Sequence, residues 1–116
     1  MKPIDTKNRL VANINTGKFV PFLGSDGTMD GEVLQVNGRE NGFGFHIYRM
    51  LPGQHSIPHK HTGDEEFLLI EGDLKDHDGY IYHPGDIVCL KSGTEHNSIS
   101  QNGCLLAVYL PDAEGF

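Results

Sequence analysis

Hydrophobic positions along this chain fall in short runs broken by turn residues, and within a run alternate positions belong to opposite faces. The clearest run is "EEFLLIE" at 65–71, where Glu65, Phe67, Leu69 and Glu71 share one parity and Glu66, Leu68 and Ile70 the other. A period of two is the signature of a strand with one face buried. The same reading predicts strands at "KFVPF" (18–22), "EVLQV" (32–36), "GFHIYRML" (44–51), "GYIYH" (79–83), "DIVCLK" (86–91) and "GCLLAVYL" (103–110), and a further one at "HNSIS" (96–100). Turn signals such as "SDGTMDG", "NGREN", "HTGD", "HPGD" and "KSGT" separate them at intervals that suit a sandwich or barrel. No long segment repeats every 3.6 residues, so helix is limited to one short turn near 5–13. The pattern is all-β, and residues 1–20, the least patterned, are expected to form an amino-terminal arm.

Length and charge narrow the picture further. At 116 residues the chain is expected to form one domain, 1–116, burying roughly two-thirds of the surface its unfolded form exposes. A formal charge of -7, with no run of Lys or Arg interleaved with aromatics, argues against nucleic acid as a partner. The start, "MKPIDTKNRL", has no apolar stretch of the signal-peptide kind, and the longest apolar run, "CLLAVYL" at 104–110, is too short to span a bilayer. No membrane association and a cytoplasmic location are therefore expected. Cys89 and Cys104, each flanked by apolar residues, read as buried strand thiols rather than a disulfide or a CxxC metal site.

The chemistry concentrates in "GQHSIPHKHTGDEEFLLIEG" at 53–72. His59 and His61 stand two apart, so on a strand they share a face with Cα atoms about 6.5 Å apart, and Lys60 points away. After the turn Thr62-Gly63-Asp64, Glu65 opens the next strand and can stand beside them. His96, following a turn built on Ser92 and Gly93, is a fourth candidate. Three imidazoles and a carboxylate suit a divalent transition metal of the Fe, Mn, Ni, Co or Zn type. Glu66 faces away from Glu65, Glu71 lies at a hairpin end, and His55, His77 and His83 sit in turn-rich text, so all five are expected at the surface.

The first stretch matches the first cupin motif without gaps, as Gly53, His59, His61, Glu65 and Gly72. Gly85, Gly93 and His96 match the second motif in part, with Lys91 where proline is usual and Ser100 where asparagine is usual. Over residues 43–110 the chain thus resembles the cupin superfamily, which implies a double-stranded β-helix, the small jelly roll or cupin barrel. The short link at 73–84, together with "SGTEHNSISQNGCLLAVYL", resembles more narrowly the cupin domain of ChrR-type anti-sigma factors and the acetylacetone-cleaving type of dioxygenase. That resemblance implies one divalent transition metal per chain, Fe, Zn, Mn or Ni, in the barrel mouth.

Two faces of the strand at 44–51 compete for the cavity. If His46, Tyr48 and Met50 face inward, His46 and Tyr48 become candidates for orienting a substrate or moving a proton. If Phe45, Ile47 and Arg49 do, Arg49 becomes a candidate for binding a carboxylate. Phe67 and Leu69, below Glu65, predict an apolar cavity floor and hence a small organic ligand. The favoured reading is a metal-dependent, iron-type dioxygenase acting on a small carbonyl or phenolic compound. The alternative is a ChrR-like sensor or regulatory module without enzymatic activity, against which the barrel is expected to use up the chain and leave no helical segment to hold a sigma factor. A metal-dependent isomerase or hydrolase has no further residue in its favour. A homodimer is expected, because the outward-facing Leu68 and Ile70 need cover.

Overall fold

The computed structural model describes residues 1–24 and 26–111. Among the described residues twelve strands follow one 3-10 turn, Thr6–Asn8, which is capped by the Asp5 carboxylate accepting from the Lys7 amide at 3.2 Å. The strands are β1 (Val20–Leu23), β2 (Met29–Leu34), β3 (Gly44–Met50), β4 (Gln54–His55), β5 (His59–Lys60), β6 (Glu65–Gly72), β7 (Leu74–Asp76), β8 (Ile81–Tyr82), β9 (Ile87–Leu90), β10 (Glu95–His96), β11 (Ser98–Ser100) and β12 (Cys104–Leu110).

Three antiparallel sheets result, in the orders β1-β2-β3-β12-β6-β9, β4-β11-β7-β8 and β10-β5. The six-stranded and four-stranded sheets enclose the core, and the β5–β10 pair carries the histidines. This is the jelly-roll arrangement of a double-stranded β-helix. Among the described residues no helix is long and apolar enough to cross a membrane.

Strand β6 follows its sequence parity: Glu65, Phe67 and Leu69 are buried, Glu66, Leu68 and Ile70 exposed. Leu69 is fully buried, and with Met50, Phe67, Leu74, Tyr82, Leu106, Val108 and Leu110 it makes the core cluster. At the end of β6 the register with β12 slips between Leu105 and Leu106, so that Leu69 faces Leu106 while Glu71 faces Leu105. This bulge turns Glu71 to the surface although its parity is inward. Gly72 then takes φ 92°, and a Cβ there would lie 2.1 Å from the Gly103 carbonyl oxygen, which only glycine avoids.

The departures from the sequence reading have local causes. The strand expected at 32–36 lies at 29–34 instead, because Gln35 leaves the ladder: its side-chain amide donates to Asn37 Oδ1 at 2.8 Å and to the carbonyls of Arg39 and Glu40 at 2.8 and 3.0 Å, and so organises the following loop. The run at 96–100 is divided at Asn97 into β10 and β11, whose partners lie in different sheets. Strands β4, β5 and β7 are too short to show alternation. Cys104 is buried as expected, and burial pushes its thiol up to about 11. Cys89 is exposed, contrary to expectation, because it lies on the outward parity of β9, opposite Glu66.

Truncation of Leu69 to alanine should cost about 2–5 kcal/mol, since a fully buried leucine in a closed core leaves a cavity that the surrounding strands only partly fill. The midpoint of urea unfolding reads this directly, and Glu71→Ala, at the exposed end of the same strand, is the control expected to change little.

Candidate metal centre

Antiparallel pairing of β5 with β10 sets His59 directly opposite His96. His61 follows β5 and is tied to the same turn by two backbone bonds, its N–H donating to the Thr94 carbonyl at 2.9 Å and its carbonyl accepting from Gly93 at 2.8 Å. Asp64 fixes the facing loops by accepting from the Ser92 amide at 2.8 Å, and β6 delivers Glu65. The three imidazole rings form a near-regular triangle, with centroid separations of 4.9, 4.6 and 4.7 Å. One ligand atom from each of His59, His61, Glu65 and His96 lies within 4.8 Å of the others. The four residues expected at the metal are thus brought together.

The hydrogen bonds behind the rings fix their tautomers. His59 Nδ1 is 2.7 Å from the Ile57 carbonyl, which can only accept. His96 Nδ1 is 3.2 Å from Asp76 Oδ1, an acceptor when ionised. His61 Nδ1 is 3.0 Å from Thr94 Oγ1, and that hydroxyl donates its own proton to the Lys91 carbonyl at 2.7 Å, so it accepts from the ring. Each Nδ1 therefore carries a proton, and in the neutral ring this leaves Nε2 as the nitrogen with the lone pair. Those lone pairs converge: His59 and His96 Nε2 are 3.0 Å apart, and Glu65 Oε1 is 3.6 Å from His61 Nε2 and 3.8 Å from His96 Nε2. Two ring nitrogens this close beside a carboxylate are satisfied by a cation held between them. Three neutral nitrogens and one carboxylate oxygen fit a divalent transition metal in number and chemistry.

Asp76, which lies in the link between the motifs and has no signal in the sequence, supports the centre from behind. It is buried on β7 and accepts from Ser98 Oγ at 2.5 Å, Tyr82 Oη at 2.6 Å and His96 Nδ1. Burial alone would raise its pKa, but the bonds from His96, Ser98 and Tyr82 outweigh that and hold the carboxyl below its ordinary range. Burial and the Asp76 charge push the Tyr82 phenol in the opposite direction, above its ordinary value. Ser98 could have been found: it shares the parity of His96, and both lie on the stretch read as one strand.

A cavity of about 270 Å³ opens onto the donor set, with His59, Glu65 and His96 at its polar end. Phe67, Leu74, Leu106, Val108 and Leu110 supply its apolar walls. His46, Tyr48 and Met50 line it, which settles the two-face question for β3. Arg49 lies on the other face, 3.8 Å over the Phe19 ring and 3.4 Å from Glu32, because parity turns residue 49 outward; it does not reach the cavity. Tyr48 Oη donates to the buried Asp30 at 2.9 Å. Burial first, then the Asp30 charge and hydrogen bond, raise the Tyr48 pKa above the ordinary phenol value, so it keeps its proton. His46 Nδ1 lies 3.1 Å from the Gly44 carbonyl. Glu66, Glu71, His55, His77 and His83 are at the surface, away from the centre.

The family model of the ChrR Cupin-like domain matches residues 7–113. Comparison with curated proteins gives no match. Among solved structures the chain is similar to an acetylacetone dioxygenase from Acinetobacter johnsonii, at 16% identity over 95% of this chain and 78% of that one, with a TM-score of 0.63. It is also similar to a chain of the Rhodobacter sphaeroides complex of SigE with the anti-sigma ChrR, at 18% identity over 90% of this chain and a TM-score of 0.61; this chain spans about half of that one, 52%. A cupin-2 domain protein from Shewanella frigidimarina matches at 20% identity over 64% of this chain and 74% of that one, with a TM-score of 0.52. At these identities the likeness shows the fold.

Replacing Asp76 by asparagine keeps its shape but takes away the charged acceptor that holds the His96 ring. Metal affinity, measured by competition with a chromophoric chelator, should fall by about 10–100-fold. An unchanged affinity would mean that the ring is held by packing alone.

Proposed function

The chain belongs to the ChrR cupin-like family, and from that premise we propose that it is a metal-dependent dioxygenase of the iron type, acting on a small organic carbonyl or phenolic compound. The observation that carries this reading is a cavity with apolar walls onto which three members of the converging donor set, His59, Glu65 and His96, open, with His61 buried beside them. His59, His61, Glu65 and His96 would hold one divalent transition metal per chain. When bound, such a metal supplies Lewis-acid and redox chemistry to a ligand in the cavity.

The protein's own residues determine what that ligand is. A volume of about 270 Å³ without a lysine or arginine in its lining favours a small, weakly charged molecule over a phosphorylated sugar. Phe67, Leu106 and Val108 exclude water from the apolar end. Tyr48, whose phenolic oxygen is held on Asp30, would serve as a fixed orienting group on the cavity wall, where His46 also lies. Catalytic use of His46 and Tyr48 is part of the proposal; Arg49, on the outer face, is left out of it.

A sensor reading has one point in its support, the similarity to a chain of the SigE–ChrR complex. On that reading a metal such as zinc, fully enclosed by four protein ligands, would serve without turnover, and the partner would be another protein. For the assembly the proposal is a homodimer, since Leu68 and Ile70 lie exposed on an outer sheet face. For location it is the cytoplasm, a reducing compartment that suits the exposed, unpaired Cys89.

Elemental mass spectrometry on protein purified without oxygen or chelators should find about one equivalent of iron per chain, and β-dicarbonyl or phenolic compounds should then elicit oxygen uptake. His59→Ala and His96→Ala should each lose the metal; a full equivalent in both would overturn the site. A full equivalent of zinc that resists exchange would favour the sensor.

A further inference from the structure

We propose that the basic amino-terminal arm of one copy docks on the outer face of the six-stranded sheet of a second copy, in a reciprocal exchange. The inference rests on the homodimer reading and is independent of the metal centre.

The outer face carries one complete apolar row and a second interrupted by a single charge. Strand register aligns Ile47, Ala107, Leu68 and Ile87 across β3, β12, β6 and β9, and beside them Phe45, Tyr109, Glu66 and Cys89. Glu66 is the one charged residue among these eight. Ile87 is 86% exposed and Phe45 58%. A contiguous apolar surface of this kind is characteristic of an interaction site rather than of a free surface.

The arm has complementary character. Residues 1–13 are exposed throughout, among them Ile4, Leu10 and Val11, and their regular structure is the single 3-10 turn. Four of the nine Lys and Arg residues, Lys2, Lys7, Arg9 and Lys18, fall in the first 18 positions, against one of the sixteen acidic residues, Asp5. The arm is therefore basic and the remainder strongly acidic, with Glu66 in the middle of the patch. Opposite charge favours docking of the arm on a second copy and helps to fix its orientation.

Position and reach agree. The arm begins at the border of the patch: a Cβ on Gly17 would lie 3.0 Å from both Leu34 methyl carbons, and Leu34 pairs with Ile47, the first member of the first row. Phe19, packed under Arg49, already covers part of the same face. From β2 to β9 the sheet extends four strand spacings, about 19 Å. An extended segment of thirteen residues reaches up to about 45 Å, enough to cross that distance on a facing copy. Because each copy has both arm and patch, a two-fold pairing satisfies both at once.

Cys89, exposed in the second row, provides the test. A chain with Val11→Cys and Cys89→Ser, mixed with the natural chain and mildly oxidised, should give a covalent dimer linking the new thiol to Cys89 of the natural chain, identified by peptide mass. Absence of that product overturns the proposal, as does a monomeric product linked within one chain when Val11→Cys is made with Cys89 kept. In sedimentation the natural chain should be a dimer, Leu68→Glu a monomer with its metal content unchanged, and the triple variant Ile4→Ser, Leu10→Ser, Val11→Ser a dimer at least about tenfold weaker. A dimer of undiminished strength in the triple variant overturns the arm and leaves the homodimer standing. A monomeric natural chain overturns both and leaves the metal centre untouched.

Discussion

Three imidazole lone pairs and a carboxylate held within 4.8 Å of one another are the constraint around which the rest of this barrel is arranged. Such a cluster costs stability on its own, since aligned acceptors repel and a buried carboxylate loses its hydration. Each donor is therefore held from behind. The Ile57 carbonyl, Thr94 and Asp76 each take one Nδ1 proton, and Thr94 and Asp76 are themselves fixed by Lys91, Ser98 and Tyr82. The supports come from the loop before β5, the turn before β10, and β7, β8 and β11. The site is thus a property of the closed barrel and not of the motif segment alone, and a bound cation would add its binding energy to folding.

How far this was legible in the sequence depends on the length scale of each signal. The strand at 65–71 was readable because an unbroken apolar run, Phe67–Ile70, is framed by glutamates and a glycine, and the donor cluster was readable because His59, His61, Glu65 and their glycines fall at motif spacing. Asp76 was invisible: it lies on a three-residue strand inside text dominated by turn residues, and only the tertiary pairing of β7 with β11 brings it behind His96. Asp30 was hidden in the same way within "SDGTMDG", although it anchors Tyr48 from the neighbouring strand. The face of β3 could not be chosen from its own pattern, since both parities carry aromatic and polar groups. Pairing with β12 decides it, because Val108 and Leu106 are inward and stand opposite His46 and Tyr48.

The six-stranded sheet is apolar on both sides, and the two sides serve different ends. Its inner face supplies Phe67, Leu69, Leu106 and Val108 to the core and cavity. Its outer face carries Leu68, Ile87, Ala107 and Ile47 in register, with polar groups at Glu66 and where Arg49 and Glu32 meet over Phe19. A sheet of this size in a chain that buries one core would ordinarily alternate polar residues on its free side. The outer rows therefore act as a second selection on sequence, one that strand formation and core packing do not require.

These two surfaces bear on the choice between turnover and sensing. A sensor needs its metal enclosed and its occupancy transmitted to a partner, which is most direct when the ligands lie at the interface. Here the ligands open inward, onto a cavity walled by Phe67, Val108 and Leu110, while the apolar outer rows lie on the other side of the same strands. Strands β6 and β12 separate the two, so occupancy of the centre reaches the outer face only by moving these two paired strands. An inward-opening centre with its own apolar chamber is what the proposed small-molecule reading rests on, and in that proposal Tyr48, held on Asp30 beside the chamber, would orient what enters.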